Sequence, residues 1–409
     1  MGATITFRPH SDAPLLCILA VLAPVLAVLT PLQIWIPAIC VAGAILLRRL
    51  VARESWQLAC PRAALVMLLI VGWGATTSFW SIFPERSLEI SLRLVLVAAA
   101  LVVLLDAAMK LDPAGQARVG RWLILGGCAM LVLTLGRFLV IKITTEWVWQ
   151  QTLLGNELAG LNRTASIIAI FAWPVTMAIW QHNGRRLAIV FVLLSALTIS
   201  LLSPYTPQLA LLLGALVFVI SLFAPFAGRA IVIAGFVLFL VLLALLDSFT
   251  PWANALLLAH IDTPNSEIHR FVIWDFAISH IFERPVFGWG LDASRAIPGG
   301  GQNVFLFANP DGTPATGAAL PLHPHNMVLQ IWLELGFIGF TLASTLVAGI
   351  LRYATKIARN PGAGAVILAT LVSGFVIAQL GFGVWQGWWL GTLGIAAVLA
   401  LSMTRPAQT

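Results

Sequence analysis

Charge is what this 409-residue chain has least of. Asp, Glu, Lys and Arg together make up 10% of it, against 60% hydrophobic residues. So little charge cannot clothe a water-soluble surface, which excludes a globular cytosolic enzyme and points to a membrane protein. Cysteine is scarce too. Cys17, Cys40, Cys60 and Cys128 lie in or beside apolar runs without metal-ligand spacing, so they read as small buried hydrophobes and imply no disulfide framework. No P-loop, dinucleotide fingerprint, zinc-ligand spacing or internal repeat occurs, and no basic-aromatic module suggests nucleic acid as a partner. The N-terminal stretch carries one basic residue, Arg8, and no convincing small-residue cleavage site, so no removable signal peptide is expected.

What is abundant is apolar sequence in runs long enough to cross a bilayer, which takes about 20 residues. Such runs predict an all-α polytopic membrane protein with about twelve transmembrane helices, near 15–30, 32–47, 63–80, 88–105, 120–140, 163–181, 187–203, 208–223, 229–247, 325–351, 363–381 and 387–403. The expected layout is 1–247 for helices one to nine, 248–322 for one long outer loop carrying short helices, and 323–409 for helices ten to twelve. The latter half of that loop is rich in Gly and Pro, from Gly288-Trp289-Gly290 to Pro310-Asp311-Gly312, which suits a mobile flap over a site. Glu146 to Glu157, with Trp147 and Trp149, reads as an interfacial segment.

The net charge of +7 matters through its distribution. With the N-terminus inside, every inner loop is basic and most of the 23 Lys and Arg lie on that side, so the positive-inside rule places both termini in the cytoplasm. Arg86, Arg93, Arg137, Lys142, Arg163, Arg270, Arg284 and Arg295 remain, on the outer side or within helices, where topology gives no reason for them. Arg86, Arg137 and Lys142 are expected to snorkel to headgroups. Arg93 has Glu89 four residues before it, which fits either an internal ion pair or a ligand contact. Arg163 is placed at the outer start of a helix, where the dipole disfavours a cation unless an anion is bound there. Arg270 falls on a predicted helix of 266–283, in an apolar stripe with Trp274, Ala277 and Ile281.

The chemistry is expected where the long loop ends, at His323-Pro324-His325-Asn326. Asn326, Gln330 and Glu334 recur every four residues, a polar stripe that must face protein or a wet cavity. His325 stands at a helix start, where the dipole favours the neutral imidazole that a general base requires. His323 fits either substrate contact or a loop hydrogen bond. Gly336 and Gly339 are expected to allow close helix packing.

These residues resemble a family. His325-Asn326, nine residues, then Gly336-Phe337-Ile338-Gly339 is similar to the signature of bacterial O-antigen ligases. Leu329-Gln330-x-Trp332-x-Glu334-x-Gly336 looks like its proteobacterial form, and Arg270-x-x-x-Trp274 running on to Pro285-x-x-Gly288-x-Gly290 resembles the loop before it. Asn162-Arg163-Thr164 resembles the family's other Arg-bearing outer loop. The Ser-Arg-Gly element of the wider family has no counterpart; the nearest stretch, Ser203-Pro204-Tyr205, lacks the Arg. The resemblance implies an inner-membrane glycosyltransferase of lipopolysaccharide biosynthesis. It would move a finished glycan from undecaprenyl pyrophosphate to a sugar hydroxyl of lipid A-core on the periplasmic face. His325 would be the base, and Arg163, Arg270, Arg93, His323 and Asn326 would bind pyrophosphate or glycan. The outer loops hold no Asp-x-Asp pair and no clustered carboxylates, so metal-independent transfer is expected; a single displacement implies inversion, and a lipid-pyrophosphate donor needs no cofactor. An O-antigen polymerase, a transferase to protein and a lipid or polysaccharide transporter remain as alternatives.

Overall fold

The structure is a computed structural model that describes residues 11–54, 57–147, 151–202, 204–245, 265–308, 312–357 and 361–404. The helices are α1 (Ala13–Leu29), α2 (Trp35–Val51), α3 (Pro61–Thr76), α4 (Pro84–Met109), α5 (Pro113–Trp147), α6 (Gln151–Asn183), α7 (Arg185–Leu202), α8 (Tyr205–Phe223), α9 (Pro225–Ala244), α10 (Asn265–Glu283), α11 (Met327–Lys356), α12 (Pro361–Leu380) and α13 (Gly387–Ser402). Five of them, α3, α4, α5, α9 and α12, begin on a proline, whose fixed φ suits the first turn and whose missing N–H is not needed there. Gly184, at φ 91°, supplies the left-handed residue between α6 and α7.

The chain is a multi-pass helical membrane protein. Among the described residues ten helices are long and apolar enough to cross a membrane; α1 and α13 are apolar but shorter, at 17 and 16 residues. Each of the twelve apolar runs coincides with a helix, and a count of twelve spans depends on those two. A two-stranded hairpin interrupts the helical pattern: β1 (Asn303–Ala308) pairs antiparallel with β2 (Pro314–Ala318), Asn303 opposite Ala318. Its Gly-rich surroundings hid it from a reading based on apolar alternation.

The chain divides into two compact units. The first takes residues 1–60, 100–204 and 394–409. In it α1 lies so close to α5 that a side chain at Gly126 would strike the Ala20 carbonyl, and Phe171 and Trp173 of α6 are fully buried. It also holds a knot of opposite charges. Arg49 bridges Asp12 and Asp106 at 2.6 Å each, Arg48 bridges Asp12 and Glu54 at 2.7 Å each, and Lys110 reaches Asp106 at 2.9 Å. Arg137 does not snorkel as expected: it donates to the Val28 carbonyl.

The second unit takes residues 61–99 and 205–393. Here α12 packs on α8, with the Ser373 hydroxyl donating to the Ala210 carbonyl at 2.8 Å. Its apolar core joins Ile273, Ala277 and Ile281 of α10 to Trp289, Leu320, Val328 and Leu333. The expected apolar stripe of α10 is therefore real, and Asn265–Glu283 matches the predicted 266–283 closely.

α11 is not one continuous helix. Gly336 has φ 67° and ψ −170°, and the segment before the signature docks into the gap. Phe337 N–H donates to the Pro285 carbonyl at 2.8 Å, while Trp289 and Gly290 donate to the carbonyls of Leu333 and Glu334 at 2.9 Å. A Cβ on Gly336 would collide with the Val286 carbonyl. The glycine thus admits a loop backbone, not a neighbouring helix. Residues 285–290 are held to α11 by backbone hydrogen bonds rather than lying free as a flap, and Asn303–Ala308 pairs with Pro314–Ala318. Pro310 and Asp311 lie outside the described residues, as do Arg8 and Trp149.

Candidate functional site

His323 to Asn326 form the turn that enters α11, and three neighbours hold it. Trp274 of α10 donates its indole N–H to the Pro324 carbonyl at 2.9 Å. His325 Nδ1 lies 2.7 Å from the Gly381 carbonyl. Gly383 is close enough to the His323 ring that a side chain there would clash with it. His325 itself has φ 53°, a left-handed conformation that is costly for a non-glycine residue and tends to persist where surroundings over-determine it.

These contacts settle the tautomers. A carbonyl can only accept, so His325 Nδ1 carries the hydrogen and Nε2 carries the lone pair. The backbone N–H of His325 donates to His323 Nδ1 at 3.2 Å, which leaves the His323 hydrogen on Nε2. The rings stand 4.2 Å apart, centroid to centroid. Burial pushes His323 down to about 3, helped by the charges of His325 and Arg295. Burial also lowers His325, with Arg270 and His269 adding to the effect and the Gly381 hydrogen bond opposing it. Both imidazoles are therefore neutral near pH 7, chiefly because they are buried.

Asn326 is fully buried and caps α11: its Oδ1 accepts the Leu329 N–H at 3.1 Å. It makes no hydrogen bond to His325, whose ring is oriented by Gly381 instead. Its Nδ2 is buried with no partner among the described residues, as is Nε2 of Gln379, whose Oε1 accepts the Val328 N–H at 3.3 Å. Two donors without acceptors beside the mouth of α11 could serve oxygens of a bound group.

The other predicted residues fall as follows. Arg270 is half-buried on α10, near enough for its charge to act on His325. Arg93 takes the ion-pair alternative: it pairs with Glu89 and its side chain is 64% exposed. Arg163 belongs to the first unit. It is not at a helix start, because α6 begins at Gln151, about three turns earlier, and the helix-terminus argument for an anion there falls. It is half-buried and makes no hydrogen bond or ion pair with the described residues.

Sequence reasoning missed Arg86, read as a snorkelling residue. Its Nε lies 2.7 Å from Asp292 and its Nη1 2.8 Å from Glu89, while Arg295 meets the same Asp292 carboxylate at 3.3 Å. The Arg86–Asp292 pair joins positions 206 apart in sequence, so no local pattern reveals it. Gly381 and Gly383 were missed as well; the Gly-Phe-Gly break between the last two helices was the available signal.

Comparison with known proteins bears out the resemblance read from the His-Asn signature. Residues 190–344, which include Arg270 and the whole of His323 to Glu334 but not Arg163, match a family model described as O-antigen ligase. The chain is 27% identical over 250 residues to a Rickettsia conorii protein named "Putative polysaccharide ligase RC0486", covering 60% of this chain and 58% of that one. A Rickettsia felis protein called "Putative polysaccharide ligase" is 26% identical over 250 residues, and one from Rickettsia prowazekii is 28% identical over 236, covering 59% and 55% of their lengths. The matches thus span little more than half the length of these curated relatives.

Proposed function

We propose that this chain, similar to O-antigen ligases over residues 190–344, transfers a glycan from undecaprenyl pyrophosphate to a sugar hydroxyl of lipid A-core. The observation that carries the reading is the fixed tautomer of His325. Gly381 holds Nδ1–H, so Nε2 carries the lone pair, and the positive charge of Arg270 is near enough to act on the ring. In the reaction the acceptor oxygen attacks the anomeric carbon and gives its proton to Nε2, while the bond from that carbon to the pyrophosphate breaks. A single displacement inverts the anomeric carbon. Arg270 neutralises charge developing on the pyrophosphate, a contact worth about 1.5–3 kcal/mol. His323 contacts the glycan. Asn326 Nδ2, left without a partner, donates to a glycan oxygen.

Arg163, in the first unit, is retained as a pyrophosphate- or glycan-binding residue on the sequence resemblance alone. Arg93 contributes least, because Glu89 already holds it. The distribution of Lys and Arg supports an inner-membrane topology with both termini cytoplasmic, which puts the His323–Asn326 turn on the periplasmic side. The chemistry as written uses no metal and no cofactor.

The test is reconstitution of the purified protein with lipid-linked glycan and, in separate vesicles, lipid A-core, a second lipid-linked glycan, or a Ser/Thr peptide. Modification of lipid A-core supports the reading, and its persistence in EDTA supports metal independence. Chain extension of the glycan instead makes the protein a polymerase, and a glycosylated peptide makes it a protein-glycan transferase.

A further inference from the structure

Glu334 is the most completely buried acid among the described residues of the second unit, and the transfer chemistry above does not use it. Its side chain has no exposure, yet every hydrogen-bonding neighbour is a neutral donor. Oε2 accepts the Asp292 backbone N–H at 2.6 Å and the Trp385 indole N–H; Oε1 accepts the Ser294 hydroxyl and the Gln330 amide, the last at 3.1 Å. A carboxylate is the one side chain of this size that can accept from four donors at once.

Where those donors sit is what matters. Trp385 is adjacent to Val384, whose N–H donates to Gln330 Oε1 at 2.9 Å, so Gln330 and Glu334, one turn apart on α11, grip two consecutive residues. The gripped segment follows directly on Gly381, whose carbonyl fixes the His325 ring, and on Gly383, against which His323 packs. On the other side Asp292 and Ser294 flank the turn leading to Arg295, the cation that acts on His323. Asp292 is itself held at φ 54°. Each arm reaching out from Glu334 ends within a few residues of a group that touches one of the two imidazoles.

We propose that Glu334 is a positioning residue for the base: it locks the 381–385 turn against α11 and so keeps the Gly381 carbonyl under His325 Nδ1–H. The proposal rests on the transfer reaction assigned above. It separates two jobs that a buried acid can have, since a carboxylate that only stabilised the fold would change the amount of active protein and nothing else.

The test compares Glu334→Gln, Glu334→Asp and Trp385→Phe with the unaltered protein in the reconstituted transfer assay, with folded fraction measured alongside. Besides Gly381, the groups facing His325 are His323 on its own turn and His269 and Arg270 on α10. None of them is altered. Glu334→Gln puts an amide donor among donors, and kcat per folded molecule is expected to fall at least about tenfold, with the donor KM changing far less. Loss of the Gly381 hydrogen bond removes what raises His325, so the acid limb of the kcat profile moves to lower pH. Glu334→Asp recovers part of the rate. Trp385→Phe, which keeps the aromatic core and removes one donor to Glu334 Oε2, shows the same pH displacement with a smaller rate loss, and it carries the test if Glu334→Gln does not fold. An unchanged pH profile in Glu334→Gln and Trp385→Phe, with any loss tracking folded fraction, overturns the proposal. His325→Ala distinguishes the two levels. If it still transfers glycan, the assignment of the base fails; if it is inactive while the Glu334 variants keep the original profile, only the positioning role fails.

Discussion

Each unit of this protein buries charge, and the Arg49 knot of the first and Glu334 of the second do it in opposite ways. In the first, the ions of a knot answer one another: Arg49 lies between Asp12 and Asp106, Arg48 between Asp12 and Glu54, and Lys110 on Asp106. In the second, Glu334 meets no cation and is solvated by two N–H groups, an amide and a hydroxyl. A neutralised knot ties helix ends together and asks nothing of its neighbours. An acid solvated by neutral donors instead dictates where backbone must go. The contrast teaches that burial of charge alone does not mark chemistry; the kind of partner does.

The sharpest way to break that comparison is His325→Ala. It should lower transfer by about 10²–10⁴-fold, the usual contribution of a general base, while thermal unfolding in detergent stays near that of the unaltered protein. The companion pH profile should be flat through neutrality, with its acid limb below the ordinary histidine value, because burial lowers His325. His323 adds a stability signature of its own. Its folded value, about 3, lies below the unfolded one, so its contribution is complete above about 6.5 and is lost as pH falls toward 3. His323→Phe should flatten that part of a stability-versus-pH curve.

Asp106→Ala probes the other side. It leaves Arg49 with Asp12 alone and takes the Asp106 carboxylate from Lys110, and should cost about 1.5–3 kcal/mol of stability, the worth of a charge-assisted hydrogen bond, with transfer per folded molecule unchanged. A loss of specific activity there would erase the distinction between the units. Next in size, Arg270→Ala should raise the donor KM about tenfold or more, in line with a lost charge-assisted contact. The smallest effect belongs to Arg93→Ala, within about threefold on any kinetic constant, as expected when an exposed ion pair is removed.

Much of this was legible in the sequence because it is written locally. The twelve apolar runs, the α10 stripe through Arg270 and the His-Asn turn before α11 all follow from spacing within a few turns of chain. The misplacements were also physical. Arg163 seemed to open a helix because apolar character begins there, yet the helix starts at the more polar Gln151, where hydropathy gives no edge. Arg86 finds Asp292 across a long separation in sequence, and the strands Asn303–Ala308 and Pro314–Ala318 join by backbone pairing that their side chains barely signal. Gly336 was recognised as special but for packing; its positive φ and the docking of Pro285 need a three-dimensional partner to be seen.

The break at Gly336 also sets how deep the polar stripe sits. From Phe337 to Lys356 the unbroken part of α11 measures roughly 30 Å at 1.5 Å per residue, which by itself matches the hydrocarbon thickness of a bilayer. The preceding stretch from Met327 to Leu335 is then free to stand above the acyl chains, among headgroups, together with Gln330 and Glu334. Hydropathy merges the two pieces into one long span. Under the proposed function, the headgroup level, where the solvent changes, is where a lipid-linked donor and a sugar acceptor would meet.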